Sequence, residues 1–229
     1  MKISICMGTK NEEKAIATVI RSFRNALKGH DSEFVITDSS SDRTAEIASG
    51  LGAIVIKQKP QGYGIALREA LMNATGEVII TTDCDGTYPP EAVPAMLKLI
   101  GEGYDMVSAS RLKGKTRVKN MALLNEFGNR FFAFAVSLLY GCRCTDATTG
   151  MRVFRKEVIS SIEWTENTGL SLELFFKPAV LGFKVIEMPI GYLPRAGGTK
   201  LNPWKGGVEM LVTLMRYKLR PIRKRAGYT

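Results

Sequence analysis

Histidine is nearly absent: among 229 residues there is one, His30, following Gly29 in an expected surface loop. No Ser-His-Asp or Cys-His nucleophilic set is therefore legible. Cysteine is scarce too. Cys6, Cys84, Cys142 and Cys144 lack the paired C-x-x-C spacing of a zinc site. A chain of this size with so few cysteines needs no disulfide framework, which points to reducing, cytoplasmic surroundings. Long apolar runs are missing: Phe131–Tyr140 covers about half of the roughly 20 residues that a membrane span needs. The N-terminal apolar stretch is short and followed at once by Glu12 and Glu13, which excludes a signal peptide. With no internal repeat and no low-complexity linker, one continuous domain without a transmembrane helix is expected.

What is present is an ordinary globular composition, 45% hydrophobic and 24% charged, with a formal net charge of +10. That charge favours anionic partners, whether nucleic acid, an anionic membrane or phosphorylated substrates. No basic recognition helix or aromatic ribonucleoprotein motif accompanies it, so nucleic acid is not expected. The cations concentrate at the end: Arg216, Lys218, Arg220, Arg223, Lys224 and Arg225 occur with no acid among them, after the apolar stretch Val208–Met215.

Strand-like and helical patterns alternate through the first half. Strands are predicted at Lys2–Met7, Glu33–Thr37, Ala53–Lys57, Glu77–Thr82 and Met106–Ala109. Helices are predicted over Glu12–Leu27, over Arg43–Leu51 with Ser41 as its cap, over about Tyr63–Asn73, and from Pro89-Pro90 to Ile100. The second half reads as a long apolar helix over Asn120–Tyr140, strands at Met151–Phe154 and Lys184–Ile190 with a helix at about Ser171–Leu181 between them, and an amphipathic helix over Val208–Arg225 that Pro221 interrupts or ends. This alternation predicts an α/β fold: a largely parallel central sheet with helices on both faces, whose ligands sit beyond the carboxyl ends of the strands.

The most informative segment is Asp83-Cys84-Asp85-Gly86-Thr87-Tyr88-Pro89-Pro90-Glu91, at the end of a buried strand. Two carboxylates one residue apart suit a hard divalent cation bridging to a pyrophosphate, and Gly86 lets the backbone turn beneath it. On these residues alone, Asp83 and Asp85 serve equally as caps of a turn.

Other segments join it in order: Asn11-Glu12-Glu13 after the first strand, Asp38 to Thr44 after the second, Gly62-Tyr63-Gly64 before the third helix, Ser108–Arg111, Gly128–Arg130, Asp146–Arg152 and Tyr192–Leu201. Together they resemble family 2 glycosyltransferases, specifically polyprenyl-phosphate (dolichol-phosphate-type) hexosyltransferases, over about Ile3 to Met215. The chain departs from that pattern at Gly8, Lys10, Thr37, Arg43 and Cys84, which keeps the metal carboxylates and leaves the donor's base, guanine or uracil, open.

The resemblance implies a Rossmann-like nucleotide-diphospho-sugar transferase fold of glycosyltransferase-A type. It implies inverting transfer of glucose or mannose from a nucleotide-diphosphate sugar to a polyprenyl phosphate, with Mg2+ or Mn2+ as the metal. Asp83 and Asp85 would hold the metal. Gly8, Glu12, Asp38, Asp83, Cys84, Thr87 and Lys200 would contact the donor, and Asp85, Arg111 and Arg195 would serve catalysis. Asp38 has a second reading as an Asx turn with Ser40 or Ser41. Arg195 and Lys200 flank glycines in a segment that also reads as a solvated basic hairpin tip. Arg130 and Arg152 read as acceptor-phosphate binders or as structural partners of acids such as Asp146. Glu173 reads as a satisfied buried acid or a site carboxylate. If the acceptor were a soluble or polysaccharide hydroxyl instead, Glu173 or Asp146 would have to act as its base.

Residues 1–201 are expected to form the catalytic domain and 202–229 a basic amphipathic segment. Apolar anchoring beside a polybasic patch predicts peripheral attachment to an anionic membrane, on its cytoplasmic inner face. A solubilising basic end is the other reading of this tail. The long 120–140 helix is expected to pack into the core or to add a lipid-facing stripe.

Overall fold

The computed structural model describes residues 1–113, 120–195, 203–225 and 227–228. Among the described residues, seven strands form one sheet: β1 (Lys2–Thr9), β2 (Asp31–Asp38), β3 (Ile54–Lys57), β4 (Val78–Thr81), β5 (Met106–Ser110), β6 (Arg152–Arg155) and β7 (Val185–Pro189), in the order β3-β2-β1-β4-β6-β5-β7. All neighbours pair parallel except β6, which runs antiparallel to both β4 and β5. The expected mostly parallel sheet is what forms. The reversal of β6 matters for the site, because it brings the start of β6 to the carboxyl ends of β4 and β5: Thr81 lies opposite Arg152.

Both faces are covered. Ile3, Ile5 and Met7 of β1 face one apolar cluster with α1 (Ile16–Ala26), α2 (Thr44–Gly50) and α4 (Val93–Gly101). Cys6 faces the other, with α3 (Tyr63–Met72), α5 (Leu123–Tyr140), α6 (Lys156–Ser161), α7 (Leu170–Val180) and α8 (Pro203–Leu219). That alternation is the two-residue period of a strand buried on both sides.

Several element ends differ from expectation for local reasons. The first helix begins at Ile16, not Glu12, because Asn11 adopts a positive φ of 53° and residues 11–13 are drawn to the loop before α2. There the Asn11 side-chain oxygen accepts from Ser41 N, and Glu12 N donates to Thr44 Oγ1. Ser41 does not cap α2; Asp42 Oδ1 accepts from Thr44 N and Oγ1 instead. The prolines 89 and 90 open a short 3₁₀ turn, Pro90–Ala92, before α4. The last helix starts earlier than predicted, at Pro203, and stops at Leu219 before Pro221. It lies against the body: Tyr140 Oη donates to the Leu214 carbonyl at 2.7 Å, and Lys218 Nζ to that of Leu139 at 2.9 Å. Beyond it, Arg225 N donates to the Ser161 carbonyl at 2.7 Å.

Candidate active site at the carboxyl ends of the strands

The site gathers the segments after β1, β2 and β4 with the segment before β6. Gly8, near the end of β1, permits close packing there, since a Cβ would meet that of Ala66 on α3 at 3.0 Å. Asp38 ends β2, buried, and accepts from Thr9 Oγ1 at 2.7 Å and from Ser40 N and Oγ at 3.1 and 2.5 Å. The Asx turn with Ser40 therefore exists, at the strand end where the donor reading also puts this residue. Glu12 begins the first turn leading into α1, its carbonyl accepting from Ala15 and Ile16 N.

Asp83 and Asp85 come directly after β4. Asp83 packs on Gly150, where a Cβ would lie 2.7–2.8 Å from its carboxylate and would push it aside. Burial, then the charge of Asp85, pushes the Asp83 carboxyl above its ordinary value; burial likewise pushes the Tyr63 phenol up. Asp85 Oδ1 accepts from Thr87 N at 3.0 Å and Thr87 Oγ1 at 2.6 Å across Gly86, whose φ is +76°. Its Oδ2 meets Arg195 Nη1 at 2.8 Å. The segment carrying Arg195 is tied to the same loop by Leu193 N, which donates to the Thr87 carbonyl at 2.9 Å. Cys84 points into the apolar core beneath, so its side chain is directed away from this carboxylate face. Lys200 lies outside the described residues.

Arg111, just past β5, is nearly buried and forks onto Asp146 through Nε (2.7 Å) and Nη2 (2.8 Å), with Nη2 also reaching Thr148 Oγ1 at 2.9 Å. Burial works against its charge, but Asp146 outweighs it and holds the guanidinium well above its usual range. Asp146 is fixed in turn by Glu187 of β7, whose carboxylate accepts from Thr145 N and Asp146 N. The Tyr192 ring lies 5.6 Å from the Arg111 guanidinium carbon.

Other candidates resolve differently. Arg152 is fully buried and donates through Nη2 to the carbonyls of Ala147 and Ser171, with Nε and Nη1 lacking a partner among the described residues. Asp146 is engaged by Arg111 rather than by Arg152. Arg130 pairs with Glu126 on the surface of α5. Glu173 is a satisfied buried acid: it meets Lys177 at 2.5 Å and accepts from Thr165 N, Glu166 N and Tyr217 Oη. Both Glu173 and Asp146 are thus engaged within the protein. Sequence reasoning quoted Gly150 only as part of the Asp146–Arg152 segment, because the antiparallel β6 that sets it against Asp83 has no local signature, and it missed Glu187 as a residue that holds the site.

Among the described residues no group of three or more acidic, histidine or cysteine side chains is built to hold a metal. The donor set still fits a hard cation. Two carboxylates share a crowded, partly buried place, and a divalent ion held by one or two carboxylates takes its other ligands from phosphate and water. The fit is thus to a cation that arrives with a diphosphate. The arrangement as a whole, paired carboxylates with two guanidinium groups at the strand ends, suits charge neutralisation of phosphorylated substrates.

Comparison with known proteins agrees. Residues 4–162 match the model of glycosyl transferase family 2. A dolichyl-phosphate hexose transferase of Haloferax volcanii is 48% identical over 91% of this chain and 90% of its own length. A dolichol-phosphate mannosyltransferase of Pyrococcus furiosus is 25% identical over 93% of this chain and 67% of its own. Among solved structures, glucosyl-3-phosphoglycerate synthase of Mycobacterium tuberculosis with Mn2+, uridine diphosphate and phosphoglyceric acid superposes with a TM-score of 0.76 at 22% identity, over 96% of this chain and 79% of that one. The fold is of glycosyltransferase-A type, and the chain belongs to glycosyl transferase family 2.

Proposed function

We propose that this protein transfers a hexose, with inversion, from a nucleotide-diphosphate sugar to a polyprenyl phosphate at an anionic membrane surface. The observation that carries the reading is the Asp83–Asp85 pair at the end of β4 with Arg195 seated on it, in a chain 48% identical to a dolichyl-phosphate hexose transferase.

Asp83 and Asp85 would hold a divalent cation, Mg2+ or Mn2+, whose contribution is to neutralise the diphosphate leaving group. Thr87 fixes the Asp85 carboxylate through two donors. Arg195, a third exposed, is placed to exchange its carboxylate for a phosphate oxygen. Arg111, oriented by Asp146, holds a fixed positive charge beside these carboxylates. A phosphate monoester is already anionic near neutral pH, with a second pKa of about 6. It needs no strong base to attack, in keeping with the engaged state of Glu173 and Asp146. Alignment and charge neutralisation are what remain for the protein to supply.

The membrane part of the reading is supported by α5 and α8. Twelve of the eighteen exposed large apolar side chains among the described residues lie on these two helices, which concentrates the exposed apolar surface in one region. On α5, Leu123, Phe127, Phe131, Phe134 and Leu138 recur at helical spacing, all exposed, while Phe132 and Val136 are buried. On α8, Val208, Leu211, Val212, Met215 and Leu219 face outward, opposite buried Thr213 and Leu214. Lys205, Arg216 and Lys218 flank that outward row, and Arg220 and Arg223 come after it. An apolar face bordered by cations is complementary to an anionic leaflet. No described helix is long and apolar enough to cross a membrane.

The test is a radiolabel partition assay with UDP-glucose and GDP-mannose, Mn2+ or Mg2+, a short polyprenyl phosphate and an EDTA control. Metal-dependent label in the organic phase is expected from one donor. Donor hydrolysis alone, or transfer to a sugar hydroxyl, overturns the reading.

A further inference from the structure

Helix α5 turns one face to the body of the protein, where Phe132, Ala133 and Val136 are buried. The same stripe carries two half-buried polar side chains, Asn129 and Ser137, one turn before and one turn after Ala133. A polar group on an inward face needs a partner, and both find theirs in the segment that joins α5 to β6. Ser137 Oγ accepts from Cys144 N at 3.2 Å. Asn129 Oδ1 accepts from Thr148 Oγ1 at 2.8 Å, and its Nδ2 reaches Met121 Sδ at 3.4 Å. Helix α5 thus grips this segment on either side of Asp146, the acid that orients Arg111.

Thr148 stands where three groups meet. Its hydroxyl oxygen accepts from Arg111 Nη2 at 2.9 Å. Its single proton can go to Asn129 Oδ1 at 2.8 Å or to Asp146 Oδ1 at 3.3 Å. The shorter contact is the better bond. That choice bears on Arg111, because Asp146 Oδ1 is also the acceptor of Arg111 Nη2 at 2.8 Å. With the Thr148 proton drawn to Asn129, that oxygen is left to the guanidinium. The bonds from Arg111 to Thr148 and from Thr148 to Asn129 then run in one direction, each polarising the next. Without Asn129 the proton turns to Asp146 and draws on the same oxygen that holds Arg111.

We infer that Asn129 is a positioning residue for Arg111, acting through the Thr148 hydroxyl. The kinetic part rests on the proposed catalytic role of Arg111; the geometric part stands without it. Arg111 is nearly buried, so its partners in the protein set where its fork points. Misplacing a positioned group from a distance costs up to about 10²-fold in rate.

Uniform 13C and 15N labelling of the full chain tests the geometry without metal or donor, through the Arg111 Nε–H resonance assigned from its backbone. Asn129→Ala and Thr148→Val are each expected to shift it. Thr148→Ser keeps the hydroxyl and is expected to hold it near the wild-type position. With metal, and with whichever of UDP-glucose and GDP-mannose is used, Asn129→Ala and Thr148→Val should each lower kcat by about ten- to 10²-fold with the donor KM little changed. The double variant should lose no more than the worse single variant, because both changes break one chain of bonds. Thr148→Ser should recover most of the loss. An unmoved Arg111 resonance in Asn129→Ala overturns the inference whatever the chain transfers. Losses that multiply in the double variant, without rescue by serine, overturn it by marking two separate structural roles. A wild-type chain that transfers no hexose defeats the proposed function and leaves the resonance test in force.

Discussion

Arg195 Nη1 rests 2.8 Å from Asp85 Oδ2, so a cation carried beyond β7 sits on the carboxylate just past β4. Arg195 is a third exposed, and the buried Asp85 keeps both Thr87 donors without it, so the pair contributes on the order of 1 kcal/mol to stability. Arg195→Ala is therefore expected to leave thermal unfolding almost unchanged while lowering transfer by about 10²- to 10³-fold, the scale for removing one charge-stabilising donor. Arg195→Lys should recover only part, since a point charge lacks the planar fork. Radiolabel transfer beside a thermal melt checks both halves. A large drop in melting temperature with matching loss of activity would assign the residue to the fold instead.

Arg111 and Asp146 behave oppositely. Both are almost wholly buried and share two short bonds. Removing one partner of such a pair leaves an uncompensated buried charge and costs about 3–5 kcal/mol. Asp146→Ala should therefore shift the urea midpoint strongly. A loss below about 1 kcal/mol would contradict the description of this pair as buried and mutually dependent.

The strand pattern and the acidic motif were legible because each rests on local chemistry: β-rich runs before helical periodicity, and two aspartates beside Gly86. What was not legible depended on distant pairing. The antiparallel direction of β6 gives Arg152 no distinctive neighbour in sequence, yet it puts Gly150 against Asp83 and buries Arg152 completely. The helix pattern from Glu12 was overridden by Asn11, which bonds the loop before α2 rather than starting α1. Glu187 acts on residues far away in the chain, and nothing local marks it. The long 120–140 segment carries two apolar rows, one buried and one exposed, and its composition does not separate them.

Acid stability should depend on Glu33. Burial by itself would raise this carboxyl, but Lys2, Ser4 and Thr75 outweigh it and hold it at about 2 against an ordinary 4.5. The folded value lies below the unfolded one, so the stabilisation is fully present above the unfolded value and is lost as pH falls through the folded one. The stability gap between the wild type and Glu33→Gln should be constant above pH 4.5 and narrow from there towards pH 2. Denaturant melts across that range measure it. A gap that widens on acidification contradicts the sign.

Membrane attachment should depend on the outward apolar row. Phe127→Glu combined with Leu219→Glu alters two side chains that are 73% and 82% exposed, so folding should be intact. Cosedimentation with phosphatidylglycerol vesicles should fall by more than about tenfold, and wild-type binding should weaken with added salt. Equal binding by wild type and variant would remove these helices from the account.

The most direct measurement is transfer of labelled hexose to polyprenyl phosphate by wild type and by Asp85→Asn, each titrated with Mn2+. The account predicts saturable metal dependence in the wild type and, in the variant, a loss of at least about 10²-fold with an unchanged circular dichroism spectrum. Near-normal transfer by Asp85→Asn, with the same metal dependence, would contradict it.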